Sequence, residues 1–511
     1  MSITAIELFS ILPGSPRVEG DRSISLSMVT DDSRRACPGA CYIAVRGSRM
    51  DGHDFIGRAA EAGAVAIVAE TPRPQDEWAK NLLWVQVNDT HESAGLLLSA
   101  WYGFPARDMI GVGVTGTNGK TTVSYLLQSI LRDTWGKAGL IGTVHYDDGR
   151  RRCPSLNTTP GAADLQRMLR DMADNRCRAF SMEISSHALV QRRTAGLFLR
   201  AGIFTNLTQD HLDYHGDMES YFAAKRILFE KMAALGDKRC CAVINADDPY
   251  GRRLIEAFSG RLKVVTFSTE READFRAVPG TVTMHGSDYE LVHKGKSYLV
   301  RLPFIGRFNI SNSLAALAGA VSAGVGLRDA IASLARAPQV PGRLQLVSAS
   351  QGVFAFVDYA HTPDALANVC GTLRQLCPSP RRLITVFGCG GDRDRTKRAL
   401  MGKAAASFSD CCIVTSDNPR SEDPDAIIDE IMPGIPEAAR IRMTDRTEAI
   451  RHAFEIARRG DVVLVAGKGH EPYQEIMGVR HPFSDAEVVR ACRAEQEKEI
   501  QTKKQSERFR S

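Results

Sequence analysis

The sequence has no uninterrupted apolar stretch of the roughly 18 residues that a membrane-spanning helix needs. Its first residues, Met1 to Glu7, lack the basic segment and apolar core of a secretory signal, so we expect no signal peptide and a cytoplasmic location. The 65 basic and 60 acidic residues nearly cancel, to a net charge of +5, and aromatic residues are scarce at 7%. A balanced chain without a basic, aromatic-rich face argues against nucleic acid as a partner.

Cysteine is present twelve times, but no pair has the Cys-x-x-Cys spacing. A zinc site or a disulfide framework is therefore not predicted. The segment Cys411-Cys412-Ile-Val-Thr415 is typical of a strand with buried thiols. We expect structural cysteines in a reducing compartment.

The chain of 511 residues is too long for a single hydrophobic core and predicts three α/β domains. Residues 1–106 alternate short apolar strands with helical segments, as a small α/β unit does. Residues 107–338 predict a central nucleotide-binding domain with a mainly parallel sheet. Residues 339–494 alternate four apolar strands with helices, which indicates a Rossmann-like, doubly wound sheet. Residues 495–511 are charged and lack an apolar face, so a flexible tail is expected.

The strongest functional signal is a phosphate-binding pattern formed by Thr115, Gly116, Thr117, Asn118, Gly119, Lys120, Thr121 and Thr122. An apolar run that predicts a strand precedes it, and helical spacing follows it. Glycines let the backbone wrap around phosphates, Lys120 can pair with the β- and γ-phosphates, and Thr121 can hold Mg²⁺. Val114 stands where a strict P-loop has glycine, which leaves an ordinary glycine-rich turn as the alternative. The strand-loop-helix context favours ATP binding.

Two residues of the predicted central domain are candidates for contacts to Mg²⁺. Glu183 ends a predicted strand and can be a Mg²⁺ anchor, or else a surface or salt-bridged glutamate. His211 can contact Mg²⁺ or phosphate, or only hydrogen-bond within its loop. Leu212 stands where a zinc metalloprotease has glutamate, so His211 and His215 do not predict zinc. Taken alone, Lys225 is typical of a solvated helix lysine.

Polar residues directly follow each of the four apolar strands predicted within residues 339–494. The clusters are 358–361, 388–395, 416–420 and 467–471. Ligands of open α/β sheets bind outside the carboxyl ends of the strands, so we expect these clusters to converge on one crevice. Loops between strands and helices are usually polar, which alone would explain any one of these clusters. It explains the presence of all four together poorly.

Together these segments resemble the Mur ligase family of cell-wall synthesis over nearly the whole chain. The family has the same segments in the same order, namely the phosphate loop, Glu183, 205–215, 306–309, 341–343 and 358–361. The resemblance implies that Asn309, Arg343 and Asp358 help the phosphate loop bind ATP. It also implies that Lys225 is carbamylated, which turns a cation into a carboxylate-like ligand. The implied Mg²⁺ ligands are Thr121, Glu183, His211 and Lys225, and the implied catalytic residues are Lys120, Lys225, His211 and Glu183.

Within the family, the resemblance implies that the substrate is UDP-N-acetylmuramoyl-L-alanyl-D-glutamate and that the first domain contacts its uridine nucleotide through Ser33. The implied contacts to the muramoyl dipeptide are Asn157, Thr158, Thr159, Ser185, Gln191 and Arg193. The implied contacts to a second substrate, meso-diaminopimelate, are Arg393, Asp417, Asn418, Pro419, Arg420, Gly467 and Glu471. Arg420 can form a paired fork to the distal carboxylate that lysine lacks, and Glu471 can accept from the distal ammonium group.

The resemblance therefore implies an ATP-dependent amide ligase of peptidoglycan synthesis, monomeric and cytoplasmic, which activates a carboxylate as an acyl phosphate. It also implies a nucleotide held between the second and third domains. Two alternatives within the same superfamily are a lysine-adding ligase and a ligase like folylpolyglutamate synthase. A nucleic-acid motor would need a basic, aromatic face, and a pure binding module would leave Lys120, Thr121 and Glu183 without a shared purpose.

Overall fold

The computed structural model describes residues 3–47 and 50–508. The chain divides into two compact units. The first contains the residues up to Ala277 together with Leu291–Ser297 and Ser311–Leu334, and the second contains Val278–Glu290, Tyr298–Ile310 and the residues from Ala335 onward. The predicted three-domain boundaries stay predictions. No helix in the described ranges is both long and apolar enough to cross a membrane.

The amino-terminal part of the first unit is a small α/β structure, as its sequence predicts. Its five-stranded sheet has the order Arg17–Glu19, Leu83–Gln86, Ala66–Ala69, Ala40–Ile43, Met28–Thr30. All neighbouring strands are parallel except the first pair. A two-stranded ladder joins Ile3–Thr4 to Ser25–Leu26. The α-helices of this part are Ala5–Phe9, Ile56–Glu61 and Thr90–Trp101, and the 3₁₀ turns are Ser33–Arg35, Gly52–Phe55, Glu77–Ala79 and Pro105–Arg107.

A larger sheet with a parallel centre forms the rest of the first unit. Its strand order begins Arg152–Pro154, His145–Asp147, Ala138–Ile141, Ala179–Glu183, Ile110–Thr115, Ala201–Phe204, Cys241–Asn245, Lys263–Ser268. The strands that follow along the chain are Phe275–Thr283, Gly286–His293 and Lys296–Leu302, and the division between the two units passes through them. The helices are Lys120–Trp135, Ala162–Asp174, Ser186–Val190, Leu212–His215, Met218–Ala234, Pro249–Phe258, Arg307–Ala323 and Leu327–Leu334.

The strand Ile110–Thr115 lies near the middle of this sheet and carries two glycines that allow close packing. A Cβ atom on Gly111 would lie 2.5 Å from the Phe180 ring, and one on Gly113 would lie 2.6 Å from the Ile184 side chain. Large side chains of the neighbouring segment therefore cover the strand directly. This packing fixes the point at which the chain leaves the sheet, immediately before the phosphate loop.

The second unit contains a six-stranded sheet with the order Gln345–Ser348, Phe354–Asp358, Val462–Ala466, Leu383–Phe387, Cys411–Val414, Arg440–Arg442. All neighbours are parallel except the first pair, so the four strands and the doubly wound topology predicted from the sequence are confirmed. The helices are Pro363–Leu376, Lys397–Ala406, Pro424–Ile431, Arg446–Ile456 and Asp485–Arg508, with 3₁₀ turns at Ser350–Gly352, Met432–Gly434 and Glu437–Ala439. A separate hairpin pairs Tyr473–Ile476 with Val479–Pro482.

The charged carboxyl-terminal segment continues the last helix. The helix Asp485–Arg508 runs through residues 495–508, and the flexibility predicted for this segment stays a prediction. Val489 and Cys492 anchor the start of this helix in the hydrophobic core. The segment beyond is rich in Ala, Glu, Gln, Lys and Arg, which have high helix propensity, so the helix extends without an apolar face. Residues 509–511 lie outside the described part of the chain.

All twelve cysteines are free thiols, and most are buried. Burial raises the pKa of Cys41, Cys370, Cys389 and Cys412 to about 12. Such thiols stay protonated at neutral pH and are poor nucleophiles, which suits a structural role.

A buried ion pair ties the last helix to the sheet of the second unit. Asp485, at the start of that helix, accepts from Arg446 Nε at 2.7 Å and from Arg446 Nη2 at 2.8 Å, and both side chains are fully buried. Arg446 Nη2 also donates to the carbonyl oxygen of Ala466 at 2.9 Å, and Nη1 donates to that of Ser416 at 3.4 Å. The guanidinium therefore joins the ends of two strands that precede polar clusters.

Replacing Asp485 with alanine should destabilise the second unit strongly. The substitution leaves the Arg446 charge buried without its counter-ion, which costs about 3–5 kcal/mol. Denaturant unfolding followed by circular dichroism measures the effect. The matched control is Asp429→Ala, which removes an exposed partner of Arg442 and should change stability little. Equal denaturation midpoints for the two variants would contradict a stabilising role of the ion pair between Arg446 and Asp485.

Candidate active site

The phosphate loop links the strand Ile110–Thr115 to the helix Lys120–Trp135. Gly116 and Gly119 both have positive φ, at 144° and 87°. A Cβ atom on Gly116 would collide with Thr205 Oγ1, and one on Gly119 would collide with Asn312 Oδ1. The loop therefore depends on glycine at both positions, for its backbone angles and for its close neighbours.

The loop is held by the segment that follows the neighbouring strand Ala201–Phe204. Thr205 Oγ1 donates to the carbonyl oxygen of Asn118 at 2.6 Å, and Asn118 N donates to Asn206 Oδ1 at 2.9 Å. Thr208 N donates to Thr117 Oγ1 at 3.1 Å. Lys120 Nζ folds back over the loop and donates to the carbonyl oxygens of Gly116 and Thr117 at 2.9 and 2.8 Å. The structure thus brings these two predicted segments together.

Glu183 is buried beside the loop and is not a surface glutamate. Its strand pairs with Ile110–Thr115, with Glu183 opposite Val114. Glu183 Oε2 accepts from Thr121 Oγ1 at 3.0 Å and from Thr143 Oγ1 at 2.9 Å, while Oε1 accepts from Thr143 N at 2.7 Å. A hydroxyl and a carboxylate at a helix N-terminus are oxygen donors of the kind that Mg²⁺ prefers, so this pair fits the implied metal.

Lys225 is 1% exposed, which makes the sequence-based interpretation as a solvated helix lysine wrong. It lies on the helix Met218–Ala234, whose buried face carries Tyr221 beside it. Lys225 Nζ donates to the carbonyl oxygen of Gly116 at 2.8 Å and lies 4.3 Å from the centre of the Tyr221 ring. Burial, together with the nearby charge of Lys120, lowers the pKa of Lys225 well below its usual value. The Lys225 ammonium group thus contacts the phosphate loop directly.

His211 is the least enclosed of the four predicted Mg²⁺ ligands, with 47% of its side chain exposed. Its backbone is left-handed, with φ at 53°, and its ring lies 5.1 Å from that of His187. His215 stacks on Tyr221, and burial lowers the pKa of His215 to about 4. Among the residues described, no three His, Cys, Asp or Glu side chains form a group able to hold a metal. Thr121, Glu183 and Lys225 thus lie at the loop, and the four predicted ligands do not form a ready-made acidic cluster.

The predicted contacts to the muramoyl dipeptide lie directly beside Glu183. Thr159 Oγ1 donates to the carbonyl oxygen of Glu183 at 2.8 Å and accepts from Ser185 N at 3.0 Å. Thr158 Oγ1 and Thr143 Oγ1 lie 3.1 Å apart. Thr143 therefore joins this group to Glu183. Thr143 is not predictable from the sequence, because a threonine after a short strand has no distinguishing pattern.

Arg193 is hydrogen-bonded to two other predicted dipeptide contacts, Thr159 and Gln191. Its Nη1 donates to the carbonyl oxygen of Thr159 at 2.9 Å, and its Nε and Nη2 donate to Gln191 Oε1 at 2.9 and 2.6 Å. Ser185 caps the helix Ser186–Val190, and Asn157 N donates to the Tyr146 hydroxyl at 3.1 Å. Five of the six predicted dipeptide contacts thus join one network: Thr158, Thr159, Ser185 and Arg193 through Thr159 or Thr143, and Gln191 through Arg193. Asn157 bonds to Tyr146 instead.

Ser33 lies on the small five-stranded part of the first unit. It begins the turn Ser33–Arg35, and Asp32 caps this turn by accepting from Arg34 N at 3.0 Å. The turn directly follows the strand Met28–Thr30, so Ser33 stands at the carboxyl end of a parallel strand. This is the end of an α/β sheet at which ligands bind.

The polar clusters of the second unit meet, as the sequence predicts. Gly467 N donates to the carbonyl oxygen of Asp358 at 3.1 Å, and Gly391 N donates to that of Asn418 at 2.9 Å. Asn418 Nδ2 donates to Glu471 Oε2 at 2.8 Å. All four clusters are therefore linked by hydrogen bonds at the carboxyl ends of their strands.

Arg420 is held in a strained backbone conformation, with φ at 53°. Its N–H donates to the carbonyl oxygen of Glu475 at 3.0 Å, and its own carbonyl oxygen accepts from Met477 N at 2.6 Å. Arg420 Nη1 donates to the carbonyl oxygen of Gly391 at 2.6 Å. The hairpin thus fixes the backbone while the side chain reaches the 388–395 loop.

The remaining predicted contacts to diaminopimelate lie around this loop. Gly467 has φ at 113°, and a Cβ atom there would lie 2.5 Å from Asp417 Oδ2. Pro419 accepts at its carbonyl oxygen from Glu422 N at 3.0 Å. Arg393 is exposed, and its Nη1 donates to the carbonyl oxygen of Asp392 at 3.0 Å. Arg393 is the least constrained member of the set.

The three residues predicted to bind nucleotide outside the phosphate loop all lie in the second unit. Asp358 accepts from Leu344 N at 2.5 Å and from Ala360 N at 2.7 Å. Burial raises the pKa of Asp358, and the positive charge of Arg343 opposes this shift. The Arg343 guanidinium lies 4.6 Å from the centre of the Tyr359 ring. Asn309 is buried, and its Nδ2 donates to the carbonyl oxygen of Ile305 at 2.9 Å.

Three family models match successive parts of the chain. They are the Mur ligase family catalytic domain over residues 25–102, the Mur ligase middle domain over 114–320 and the Mur ligase glutamate ligase domain over 342–469. A protein of Chlorobaculum tepidum named UDP-N-acetylmuramoyl-L-alanyl-D-glutamate--2,6-diaminopimelate ligase is 44% identical over 488 residues, covering 93% of this chain and 94% of that protein. The chain belongs to the Mur ligase family.

Further Mur ligase relatives agree with this membership. A protein of Parabacteroides distasonis with the same name is 42% identical over 480 residues, covering 93% of this chain and 96% of that protein. A solved structure of an enzyme with this name aligns at a TM-score of 0.71 and 33% identity, covering 97% of this chain and all of that one. Folylpolyglutamate synthase of Mycobacterium tuberculosis, at 19% identity and a TM-score of 0.60 over 74% of this chain, shares the fold. The predicted family and the predicted α/β architecture are confirmed.

Replacing Gly119 with alanine should weaken binding of ATP at least about tenfold, because the methyl group collides with Asn312 and the phosphate loop must shift. Gly136 provides a matched control at the other end of the same helix. Its φ is 89°, but a Cβ atom there would meet nothing within 4 Å. Gly136→Ala should therefore cost only backbone strain, about 1–3 kcal/mol, and leave binding intact. Calorimetric titration with ATP checks both variants, and equal affinities would refute the packing argument.

Proposed function

We propose that this Mur ligase is an ATP-dependent amide ligase that adds meso-diaminopimelate to UDP-N-acetylmuramoyl-L-alanyl-D-glutamate in peptidoglycan synthesis. The observation that carries the proposal is the hydrogen-bonded chain from Thr121 through Glu183 and Thr143 to Thr158. It connects the phosphate loop to the proposed dipeptide contacts. The names of the relatives supply the amino acid, 2,6-diaminopimelate.

In the first step the γ-phosphoryl group of ATP passes to the side-chain carboxylate of D-glutamate. The products are an acyl phosphate and ADP, and the new phosphoryl–oxygen bond replaces the one broken in ATP. A carboxylate is a poor electrophile, so phosphorylation supplies the leaving group that amide formation requires. The backbone N–H groups at the start of the helix Lys120–Trp135 and the ammonium group of Lys120 face the negative charge that develops.

Two Mg²⁺ ions would be held here, one by Thr121 and Glu183 and the other by His211 and Lys225. The ions would neutralise phosphate charge during transfer. We include Lys225 as its carbamate, formed when the neutral amine adds to CO₂ and releases a proton. Deep burial and the lowered pKa of Lys225 favour the neutral amine that this addition requires.

In the second step an amine of diaminopimelate attacks the acyl carbon, and the tetrahedral intermediate collapses with release of phosphate and a proton. Arg420 pairs with the distal carboxylate, and Glu471 accepts from the distal ammonium group. Asn418, Asp417, Pro419, Gly467 and Arg393 complete the amino-acid site. Asn309, Arg343 and Asp358 contact the nucleotide, and Ser33 contacts the uridine end of the other substrate. We place this activity in the cytoplasm, in a monomer, where it supports cell shape and division.

The decisive measurement is phosphate release from ATP and Mg²⁺ with UDP-N-acetylmuramoyl-L-alanyl-D-glutamate, with meso-diaminopimelate and L-lysine compared as the acceptor. We expect release only with diaminopimelate, together with a tripeptide product of matching mass. Lys120→Ala should abolish release while the protein stays folded, because the loop loses its only lysine. Release with lysine instead would favour the lysine-adding ligase. Absence of release with both acceptors would overturn the proposal and favour a ligase like folylpolyglutamate synthase.

Replacing Arg420 with alanine should raise the KM for diaminopimelate about 10- to 100-fold, because hydrogen bonds to charged groups contribute about 1.5–3 kcal/mol. The KM for ATP should stay unchanged. Arg442→Ala is the control, since Arg442 forms only exposed ion pairs with Asp425 and Asp429. An unchanged KM for diaminopimelate would remove Arg420 from the specificity site.

A further inference from the structure

Lys468 is fully buried in the loop that follows the strand Val462–Ala466, at 0% exposure. A buried lysine needs polar partners to offset the loss of hydration. Lys468 Nζ donates to Asn418 Oδ1 at 2.8 Å and to Glu471 Oε2 at 3.2 Å. Both partners are residues that we assign to the diaminopimelate site, whereas Lys468 itself has no assigned role.

The contacts with Lys468 and Glu475 together determine which way the Asn418 amide points. Asn418 Oδ1 accepts from Lys468 Nζ and also from Glu475 N at 2.9 Å. A reversed amide would place its NH₂ group against these two donors, which is unfavourable. The Asn418 NH₂ group is therefore directed to Glu471 Oε2, at 2.8 Å.

Lys468, Asn418 and Glu471 form a closed triangle that spans two loops. Asn418 follows the strand Cys411–Val414, and the other two residues follow Val462–Ala466. The strand Leu383–Phe387 lies between these strands, so they do not pair with each other. The side chains of the triangle and of Arg446 connect the two loops, in addition to the backbone hydrogen bonds between Arg420 and the hairpin.

We propose that Lys468 is a positioning residue that sets the specificity of this site for diaminopimelate, an inference that rests on the proposed function. Together with Glu475 N, it holds the Asn418 amide in one orientation, and it anchors Glu471 through Oε2. Both donors contact that single oxygen, so Glu471 Oε1 is the atom that receives the distal ammonium group. Lys468 thus acts through Asn418 and Glu471 and does not itself touch the substrate.

The test replaces Lys468 with methionine, which keeps the apolar stem and removes the ammonium group. We expect the KM for diaminopimelate to rise at least about tenfold while the KM values for ATP and the muramoyl dipeptide change less than about twofold. We also expect weaker discrimination, measured as the ratio of kcat/KM for meso-diaminopimelate to that for 2-aminopimelate, which lacks the distal amine. Lys403→Met, on the exposed face of the helix Lys397–Ala406, is the control and should alter none of these values.

A double-mutant cycle separates positioning from general damage. If Lys468 acts through Glu471, the combined Lys468→Met and Glu471→Gln variant should discriminate no less than Glu471→Gln alone. Equal increases in all three KM values would indicate a merely structural role and overturn the inference. An unchanged discrimination ratio in Lys468→Met would also overturn it.

A crystal structure of the unsubstituted protein with meso-diaminopimelate gives an independent check that does not depend on the folding of a variant. We expect the distal ammonium group on Glu471, with Lys468 still bonded to Asn418 and Glu471. An ammonium group bound elsewhere would refute the inference. The proposed function fails separately, if the unsubstituted protein forms no tripeptide with either acceptor.

Discussion

The buried carboxylate of Glu183 is the interaction on which the candidate site of the first unit depends. It lies at the end of a strand, beside the strand that leads into the phosphate loop, and it accepts hydrogen bonds from Thr121 and Thr143. A carboxylate buried in this way must be satisfied, so its donors are fixed in place. The same group therefore organises the start of the phosphate-binding helix and, through Thr143, the residues proposed to bind the dipeptide.

In the second unit, contacts between side chains of different loops keep the binding residues in place. Its binding residues lie on loops after strands that are not all neighbours, and side-chain contacts such as that of Lys468 with Asn418 hold those loops together. Buried charge makes the arrangement specific, because Lys468 and Glu471 each need the other's polar atoms. Arg446 and Asp485 fix the strand ends below. Rigid support of this kind is what a site needs in order to distinguish closely related amino acids.

The local sequence pattern predicted those features of the fold and of the site that depend on local structure. The phosphate loop, the strands of the second unit and the meeting of their polar clusters were all predictable, because periodicity and turn residues carry those signals. Lys225 was not, since its burial depends on how one helix packs against a distant loop. Thr143 and Lys468 were missed because no local pattern marks them, and their partners Glu183 and Asn418 are distant in sequence. The helix Asp485–Arg508 packs at its start and continues through residues of high helix propensity.

The hairpin that holds Arg420 turns through only two residues, Met477 and Gly478, and both have positive φ. Such a tight turn fixes the pairing of the two strands. Inserting one residue there would move the backbone groups that now bond Asn418 and Arg420, without touching either residue. Selectivity for an amino acid could thus diverge between relatives through a change in loop length alone, leaving every substrate-contacting residue identical.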